Sequence, residues 1–446
     1  MSHGNHLAVV VALACSFSCR GAEFQSSGGG GEGAGASIGG MGAGGGGGGA
    51  PPAFVDLTIE VVRFDGTPLD GRSVLVSDAA SEMVETTTTG ADGKVTVTAP
   101  TFGLVTVFED DTSNTFKLYA SSVFVDPSIG SVRFVQGDGM SIGNTYTVNV
   151  QSYCGPCGKG TVEIGLSCDH QKTATLDVTT WEVAYNAYRG CPGADTMEAY
   201  LVNYDPEGIP IAFAMGTGPL QDGIFNTEEG DTVMPDNLTS IGMSVEGFLN
   251  GYTVDRSVDV VDEDGIGHFR RAVETEDASL ELHLVKSFVP HLTATQTVAL
   301  GDTNAFISRT QRFDPFDGQS TMLDVASLAV PEAPSEPSFA TPGQPRIAWA
   351  LGNGPIGDVV VLQLDDTEIE WTVTLPAAAT GEVLLPKLPS ELSQYAIVGP
   401  PFGANIIHVD RANVEGIAAY ASGGLAVVTP FEIDDQTASA VLENFQ

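Results

Sequence analysis

Apolar and polar residues alternate along much of the chain from residue 55 onward. Val55–Val61 reads V-D-L-T-I-E-V, and this period of two is typical of a strand with one buried face. Similar alternations or short β-branched runs occur at 74–76, 95–98, 104–107, 132–135, 146–150, 161–164, 176–183, 280–285, 347–349, 359–364 and 369–375. Asp-Gly pairs at 65–66, 70–71 and 92–93 mark turns between the first of them. Such spacing predicts an all-β chain of tandem antiparallel β-sandwiches.

The 446 residues predict two to four domains, because single cores rarely grow beyond about 250 residues. We place a first sandwich at 54–150, a β-rich middle domain at 151–335 and a C-terminal sandwich at 336–446. Pro331–Pro337 is typical of a stiff linker between the last two. Gly208–Leu249 is rich in Gly, Pro and Asn, and we expect it to be irregular.

The first residues have the pattern of an export signal. A short polar start precedes the apolar run Leu7–Ala14, which is too short to span a membrane as a helix. Small residues at Ala12 and Ala14 are followed by Cys15, an arrangement that resembles the lipobox of bacterial lipoproteins. The resemblance implies cleavage after residue 14 and acylation of Cys15, with Cys19 as a second candidate.

The segment after this cysteine predicts a disordered tether at 15–53. Residues 26–50 are almost entirely Gly, Ala and Ser, and they cannot bury enough apolar surface to fold. As a random coil they would reach about 25–30 Å. Such a spacer would hold folded domains away from a membrane.

Two stretches of the first sandwich carry a family resemblance. Gly66–Val76 reads G-T-P-L-D-G-R-S-V-L-V, and Thr86–Val97 contains T-T-T-T-G-A-D-G-K-V. Together they resemble a carboxypeptidase regulatory-like domain, a transthyretin-like or Ig-like sandwich that is an accessory without catalytic residues. Asp92-Gly93 would supply the positive φ of a tight turn. Around Ile347–Trp349 and Trp371–Val373, the C-terminal region weakly resembles a fibronectin type III sandwich.

The charge balance excludes some partners. Lys and Arg total 18 against 57 Asp and Glu, which gives a net charge of −39. A surface this acidic repels nucleic-acid phosphates and anionic lipid headgroups, so we expect no nucleic-acid partner and contact with a membrane only through a lipid anchor.

Four further cysteines cluster at Cys154, Cys157, Cys168 and Cys191. In an oxidising compartment we expect two disulfides among them, in any of three pairings. The Cys154–Cys157 tetrapeptide C-G-P-C matches a thioredoxin motif, but no helix pattern follows it. Zinc would require a second close pair, and the other two cysteines are far apart in sequence.

Signals for catalysis and for metal binding are weak. Ser244 lacks the glycine two positions later that a nucleophile elbow requires. His283 and His291 are the likeliest histidine pair, but on one strand they would lie about 26 Å apart. Calcium is the one cofactor suggested, at Asp262 and Asp264 in the acidic run from Asp259 to Gly265. Glu109–Asp111 is a second acidic segment that we expect to form a turn.

These patterns predict an extracytoplasmic, non-enzymatic outer-membrane lipoprotein of a Gram-negative bacterium that faces the periplasm or the cell surface, or that is otherwise secreted. We expect a binding, adhesive or structural role toward an envelope component or a glycan. The alternative is an exported hydrolase of glycans or peptides with its site within 160–335 and the sandwiches as accessories.

Overall fold

The computed structural model describes most of the chain between Ala53 and Asn444. The residues outside the description are 1–52, 64–65, 111–117, 137–141, 152–160, 167–168, 176–179, 189–195, 220–223, 227–230, 248–252, 262–266, 289–290, 301–304, 315, 333–337, 342, 366–367, 399–402, 413, 424, 427–435 and 445–446.

The described residues are almost entirely strands, which confirms the predicted all-β fold. The strands of the first region are β1 Phe54–Arg63, β2 Ser73–Ser77, β3 Met83–Thr88, β4 Lys94–Pro100, β5 Leu104–Asp110, β6 Leu118–Phe124 and β7 Ser131–Gln136. The next are β8 Ile142–Gln151, β9 Thr161–Leu166, β10 Asp169–Thr175, β11 Thr180–Tyr188, β12 Thr196–Tyr204, β13 Pro210–Pro219, β14 Ile224–Asn226 and β15 Asp231–Thr232.

The middle strands are β16 Leu238–Glu246, β17 Val254–Val261, β18 Gly267–Thr275, β19 Ser279–Val285, β20 His291–Ala299, β21 Ala305–Phe313 and β22 Ser320–Asp324. The last are β23 Pro331–Glu332, β24 Ser338–Thr341, β25 Gln344–Leu351, β26 Val359–Asp365, β27 Ile369–Pro376, β28 Thr380–Leu384, β29 Gly403–Arg411, β30 Leu425–Ala426 and β31 Gln436–Asn444. One α-helix, α1, spans Gly416–Gly423, and short 3-10 helices lie at Pro235–Asn237, Lys286–Phe288 and Ser390–Tyr395.

The first sandwich follows from the alternation in its sequence. In β1, Leu57, Ile59 and Val61 are fully buried, whereas Asp56 is exposed. β1 pairs with β4 and, in parallel, with β7, and β6-β5-β2-β3 form the facing sheet. Gly93 has φ +70° in the turn before β4, as predicted for the Asp92-Gly93 pair.

The first and last regions are continuous in one sheet. Parallel pairing of β6 with β27 joins them, and β31 lies between β21 and β29, so that twelve strands from β18 to β3 form a single sheet. Their buried residues also form one cluster, which we call the shared core. At its centre, the ring of Phe108 packs edge-on against Trp371 at 6.0 Å, and Trp371 Nε1 donates to the backbone oxygen of Tyr395 at 2.8 Å.

The middle sandwich is made of two layers. β18-β17-β20-β21 belong to the long sheet, and β19-β16-β22 form the opposite sheet. Their buried side chains form two separate clusters, one around Val258 and Leu292 and the other around Val254 and Val298. β12 and β13 of a five-stranded sheet add Val202 and Phe213 to the first cluster.

Two expectations about chain segments differ from the structure. The segment Gly208–Leu249, expected to be irregular, contains the long strands β13 and β16. Gly216 and Gly242 lie within these strands, whereas Gly208 and Gly247 have positive φ outside them. Of the predicted linker Pro331–Pro337, the described part is strand β23, which pairs with β25. Residues 333–337 lie outside the described residues.

Candidate functional site

Most of the site residues suggested by the sequence lie outside the described residues. These are the acylation candidates, the four clustered cysteines and the two calcium candidates: Cys15, Cys19, Cys154, Cys157, Cys168, Cys191, Asp262 and Asp264. The acylation, the disulfides and the calcium site therefore stay predictions.

The residues considered for a hydrolase site, Ser244, His283 and His291, lie on three different strands. Ser244 and His283 lie on β16 and β19, at positions that alternate with the core residues Met243 and Leu282. Both side chains therefore face outward from the β19-β16-β22 sheet. His291 is on the opposite sheet, where it alternates with the buried Leu292 and also faces outward. The two histidines thus lie on different strands and on opposite surfaces of the sandwich, so they do not pair with each other. Ser244 and His283 share one surface, but His283 is in register with Ser240, four residues before Ser244.

The expected acidic turn at Glu109–Asp111 is wrong for its described part. Glu109 and Asp110 belong to strand β5, and Glu109 is buried. The cross-strand register with Tyr119 and Leu118 of β6 continues the ladder through both residues. Asp111 is outside the described part of the chain.

The outward face of β17, β20 and β21 carries a regular polar array. Residues that alternate with the buried core positions on these strands are almost all hydroxylated or charged. We call this array the hydroxyl face; it consists of Asp255, Ser257, Asp259, Thr293, Thr295, Thr297, Ser308, Thr310 and Arg312.

Strand register aligns these side chains in rows. Thr295 pairs with Ser257 on one side and with Thr310 on the other. The hydroxyls of Thr295 and Thr310 are 3.1 Å apart, and those of Thr297 and Ser308 are 3.0 Å apart. Because each hydroxyl both donates and accepts, the face offers hydrogen bonds of both kinds. The four hydroxylated residues in these two contacts are half-buried, whereas Ser257 and Thr293 of the same face are buried.

Charged groups lie at one end of the hydroxyl face. His291 Nδ1 is 2.5 Å from Asp314 Oδ1, and Arg312 Nη2 is 3.4 Å from Asp314 Oδ2. His291 and Arg312 flank Thr293 on neighbouring positions of the ladder, and Thr293 pairs with Asp259 of β17. The carboxylate of Asp314 therefore holds a histidine and an arginine beside the hydroxyl rows.

The carboxyl of Asp259, at this end of the face, has a raised pKa. Burial raises the pKa of its carboxyl to about 7. Burial also raises the pKa of Asp255, with a further contribution from the charge of Glu274. Near neutral pH, Asp259 is thus divided between a form that donates a hydrogen bond and a form that only accepts.

The sequence carries a signal for this face on strand β20. The segment from Leu292 to Val298 reads L-T-A-T-Q-T-V, with a threonine at every second position. Gln296 occupies a core position, and Arg256 does the same on β17, so neither strand shows clean apolar alternation. The pairing that assembles the rows joins residues from separate strands, and periodicity alone does not indicate it.

No protein-family model matches this chain. No curated protein matches it either.

Several solved structures show a distant likeness. The Bacillus anthracis TIE protein is 10% identical, with 61% of this chain and 50% of that protein covered, so this chain spans half of its length. A Ca2+-stabilized adhesin with which an Antarctic bacterium binds ice is 12% identical, with 82% and 96% covered. A 1.5-MDa bacterial ice-binding adhesin, studied for host cell surface retention, is 11% identical, with 82% and 95% covered. The TM-score is 0.15 in each case, too low to bear on fold or function.

The described residues contain neither a candidate membrane-spanning helix nor a candidate metal cluster. None of their helices has the length and hydropathy to cross a membrane. Across the same residues, no group of three or more His, Cys, Asp or Glu side chains is placed to hold a metal ion.

Proposed function

We propose that this chain is a non-enzymatic binding protein of the bacterial envelope and that its hydroxyl face binds a neutral, polyhydroxylated ligand such as a glycan. The hydroxyl face carries the proposal. Its rows of hydroxyls donate and accept at the spacing of neighbouring strands, about 4.8 Å, which suits a ligand with many hydroxyl groups of its own.

The charged end of the face adds polarity without a large net charge. Arg312 and the His291–Asp314 pair offer donors beside the acceptor Asp259. The chain as a whole carries −39, which disfavours polyanionic ligands over neutral ones. A neutral glycan satisfies both conditions.

A binding assay with a matched control tests the proposal. The full chain is screened against immobilised neutral glycans and envelope polysaccharide fractions. Thr295→Val with Thr310→Val removes one row of the face while keeping side-chain shape. We expect affinity to fall about tenfold or more, because the ligand's hydroxyls lose their partners.

The control pair is Thr86→Val with Thr88→Val on the exposed strand β3. We expect this pair to leave affinity unchanged. Equal loss in both pairs, or retention by no glycan at all, would contradict the proposal. Release of new reducing ends during the assay would instead favour the hydrolase alternative.

The anchoring part of the proposal rests on the sequence. We propose that Cys15 is acylated and that residues 26–50 tether the sandwiches outside the cytoplasm. Radiolabelled palmitate should enter the protein in cells and should be lost in Cys15→Ser but retained in Cys19→Ser. Labelling that persists in Cys15→Ser would remove the anchor at this residue.

The cysteine and calcium proposals have separate tests. Mass spectrometry of the unreduced protein should find no free thiol at Cys154, Cys157, Cys168 or Cys191. For calcium, the thermal midpoint should rise with added calcium and should not rise in Asp262→Asn with Asp264→Asn. A free thiol would contradict the first proposal, and a flat calcium response of the unaltered chain would contradict the second.

A further inference from the structure

A row of polar side chains crosses the interior of the middle sandwich. Arg256 of β17 pairs with Gln296 of β20, which in turn pairs with Arg309 of β21. Arg256 is 1% exposed and Gln296 is 0% exposed. The row lies between the two apolar clusters, since Val258 on one side of Arg256 belongs to the first cluster and Val254 on the other side belongs to the second.

Arg256 is only partly satisfied by protein atoms. Its Nη2 donates to the backbone oxygen of Asp277 at 2.9 Å, and its Nε donates to Gln296 Oε1 at 3.4 Å. Its Nη1 is buried and has no hydrogen-bond partner among the described residues. Both acceptors are neutral, so neither compensates the charge of the guanidinium.

Thr321 of the opposite sheet presents a second unpartnered atom to the same row. Its side chain is 3% exposed and alternates with the exposed Met322, so it faces the interior. Gln296 Nε2 donates to the backbone oxygen of Thr321 at 3.3 Å, which places Thr321 beside the row. Thr321 Oγ1 is buried and lacks a hydrogen-bond partner in the described structure.

A second arginine, Arg309, lies at the end of the row on β21. Arg309 is half-buried and donates to the backbone oxygen of Met322 at 2.8 Å, so it is a second cation next to Gln296. Burial lowers the pKa of both Arg256 and Arg309, and the charge of Asp277 offsets this in part for Arg256. The Asp277 carboxylate itself is exposed and accepts from Thr275 Oγ1 at 3.2 Å. An arginine stays protonated in proteins, so this buried charge needs a counter-charge.

We propose that the middle sandwich binds a small monovalent anion, of the size of chloride, between Arg256 and Thr321. Arg256 Nη1 and the Thr321 hydroxyl both donate to it, while Gln296 holds the two donors in place. A buried guanidinium and two unused donors in a buried layer select an anion over a cation. The ion acts as a structural component that joins the two sheets.

Halide titration of the full chain tests the proposal. The thermal midpoint is measured as chloride replaces gluconate at constant ionic strength. We expect a saturating rise of about 2–4 °C by 0.5 M chloride, because a ligand that binds only the folded state stabilises it. Bromide should act similarly. A midpoint that is independent of halide would refute the site.

Two variants make the test specific. Arg256→Met and Thr321→Val should each abolish or reduce the halide response. Arg271→Met is the matched control, since Arg271 is a buried arginine of the same sandwich whose guanidinium donates to the backbone oxygens of His283 and Gly208 and lies over the Tyr204 ring. This variant should be less stable and keep the full response. An unchanged response in Arg256→Met would overturn the assignment.

Crystals soaked in bromide provide a readout that does not depend on folding of the variants. We expect an anomalous peak within hydrogen-bond distance of Arg256 Nη1 and Thr321 Oγ1. Electron density at this position without an anomalous signal would identify a water molecule and would contradict the proposed anion site.

Discussion

The shared core and the interior of the middle sandwich differ in the charge of the polar groups that they bury. In the shared core, Thr106 and Ser122 are fully buried and satisfy each other, with their hydroxyls 2.8 Å apart. Trp371 Nε1 likewise has an acceptor, the backbone oxygen of Tyr395. The shared core also contains a buried polar atom without a hydrogen-bond partner, Trp349 Nε1, but this group is neutral. In the middle sandwich, the row through Arg256 leaves charged and hydroxyl groups without protein partners and divides the apolar residues into two clusters.

The difference has a consequence for what each region does. A continuous apolar core with local polar pairs stabilises a fold and gives little specificity for small ions. A buried cationic row costs stability unless something satisfies it, and it fixes which atoms face each other across the two sheets. The middle sandwich therefore combines a polar interior with the hydroxyl face on its outer surface.

The largest expected loss of stability comes from a substitution in the shared core. Trp371→Ala removes the side chain that joins Phe108 of the first sandwich to Tyr395 of the last. We expect a loss of about 3–5 kcal/mol in the free energy of unfolding, because a large aromatic leaves a cavity. Urea unfolding followed by circular dichroism measures it.

If Trp371→Ala changes only a minor part of the unfolding transition, the first and last regions do not share one core. A shared core requires that strands of both the first and the last region unfold at lower urea. Hydrogen exchange of β1 and β26 distinguishes the two outcomes. Val398→Ala, at an exposed position of the last region, should change stability by less than about 0.5 kcal/mol.

The next effect concerns the polar row. Gln296→Leu removes the acceptor of Arg256 Nε and the donor to the Thr321 backbone oxygen. We expect a loss of about 2–3 kcal/mol, since it leaves a buried cation with fewer partners.

The double variant Arg256→Met with Gln296→Leu tests whether the two residues are energetically coupled. Replacing the row with apolar side chains joins the two clusters and should recover most of the loss. Urea titration of the single and double variants gives the coupling between the two residues. Additive losses would show that the row is no more than two independent buried residues.

Asp259 gives a smaller effect, with a defined pH dependence. Its folded pKa is raised to about 7 from 3.8, so between these values the folded state binds a proton that the unfolded state does not. Stability therefore falls as pH rises from about 4 to 7, and the full cost remains above pH 7. Asp259→Asn should stabilise the chain by about 2 kcal/mol at pH 8, after allowing for partial exposure, and much less at pH 4.5.

Urea unfolding of both forms at the two pH values checks the prediction for Asp259. The exposed Asp317→Asn serves as the control for loss of a carboxylate. A stability difference between wild type and Asp259→Asn that is equal at pH 4.5 and pH 8 would contradict it.

The same polar interior explains where sequence prediction succeeded and where it did not. β1 and β26 were predicted because their buried positions are all apolar. β17 and β20 were missed because Arg256 and Gln296 interrupt their alternation at core positions. The parallel pairing of β6 with β27 joins residues about 250 positions apart, and no local pattern encodes it.

The candidate site divides in the same way. Asp259 and His291 were singled out by residue type, and the structure shows which described residues lie beside them. Asp259 was grouped with its neighbours in sequence, and its neighbour across the ladder is Thr293. His291 was compared with His283, and the structure places it beside Asp314. Residue type identifies candidates, whereas strand register decides which of them meet.

The smallest effect returns to the last region, where a buried titratable group is fully satisfied. His408 is 0% exposed; Gly357 N–H donates to its Nε2 at 2.8 Å, and its Nδ1 is 2.7 Å from the backbone oxygen of Ala329. The first bond leaves Nε2 unprotonated, so Nδ1–H donates to Ala329 and the ring is neutral. Burial lowers the pKa of His408, although the Ala329 bond and the charge of Asp358 act against this.

Protonation of the unfolded chain should therefore reduce stability as the pH falls below about 6.5. Between pH 7.5 and pH 5.5, the wild type should lose about 1 kcal/mol more than His408→Gln, which has no proton to gain. Urea unfolding at the two pH values measures the difference, with His283→Gln as the control on the outer surface of the middle sandwich. If both variants lose as much as the wild type, the neutral His408 contributes nothing to the pH response. The two regions would then differ in how their interior polar groups are paired and would not differ in how they respond to protons.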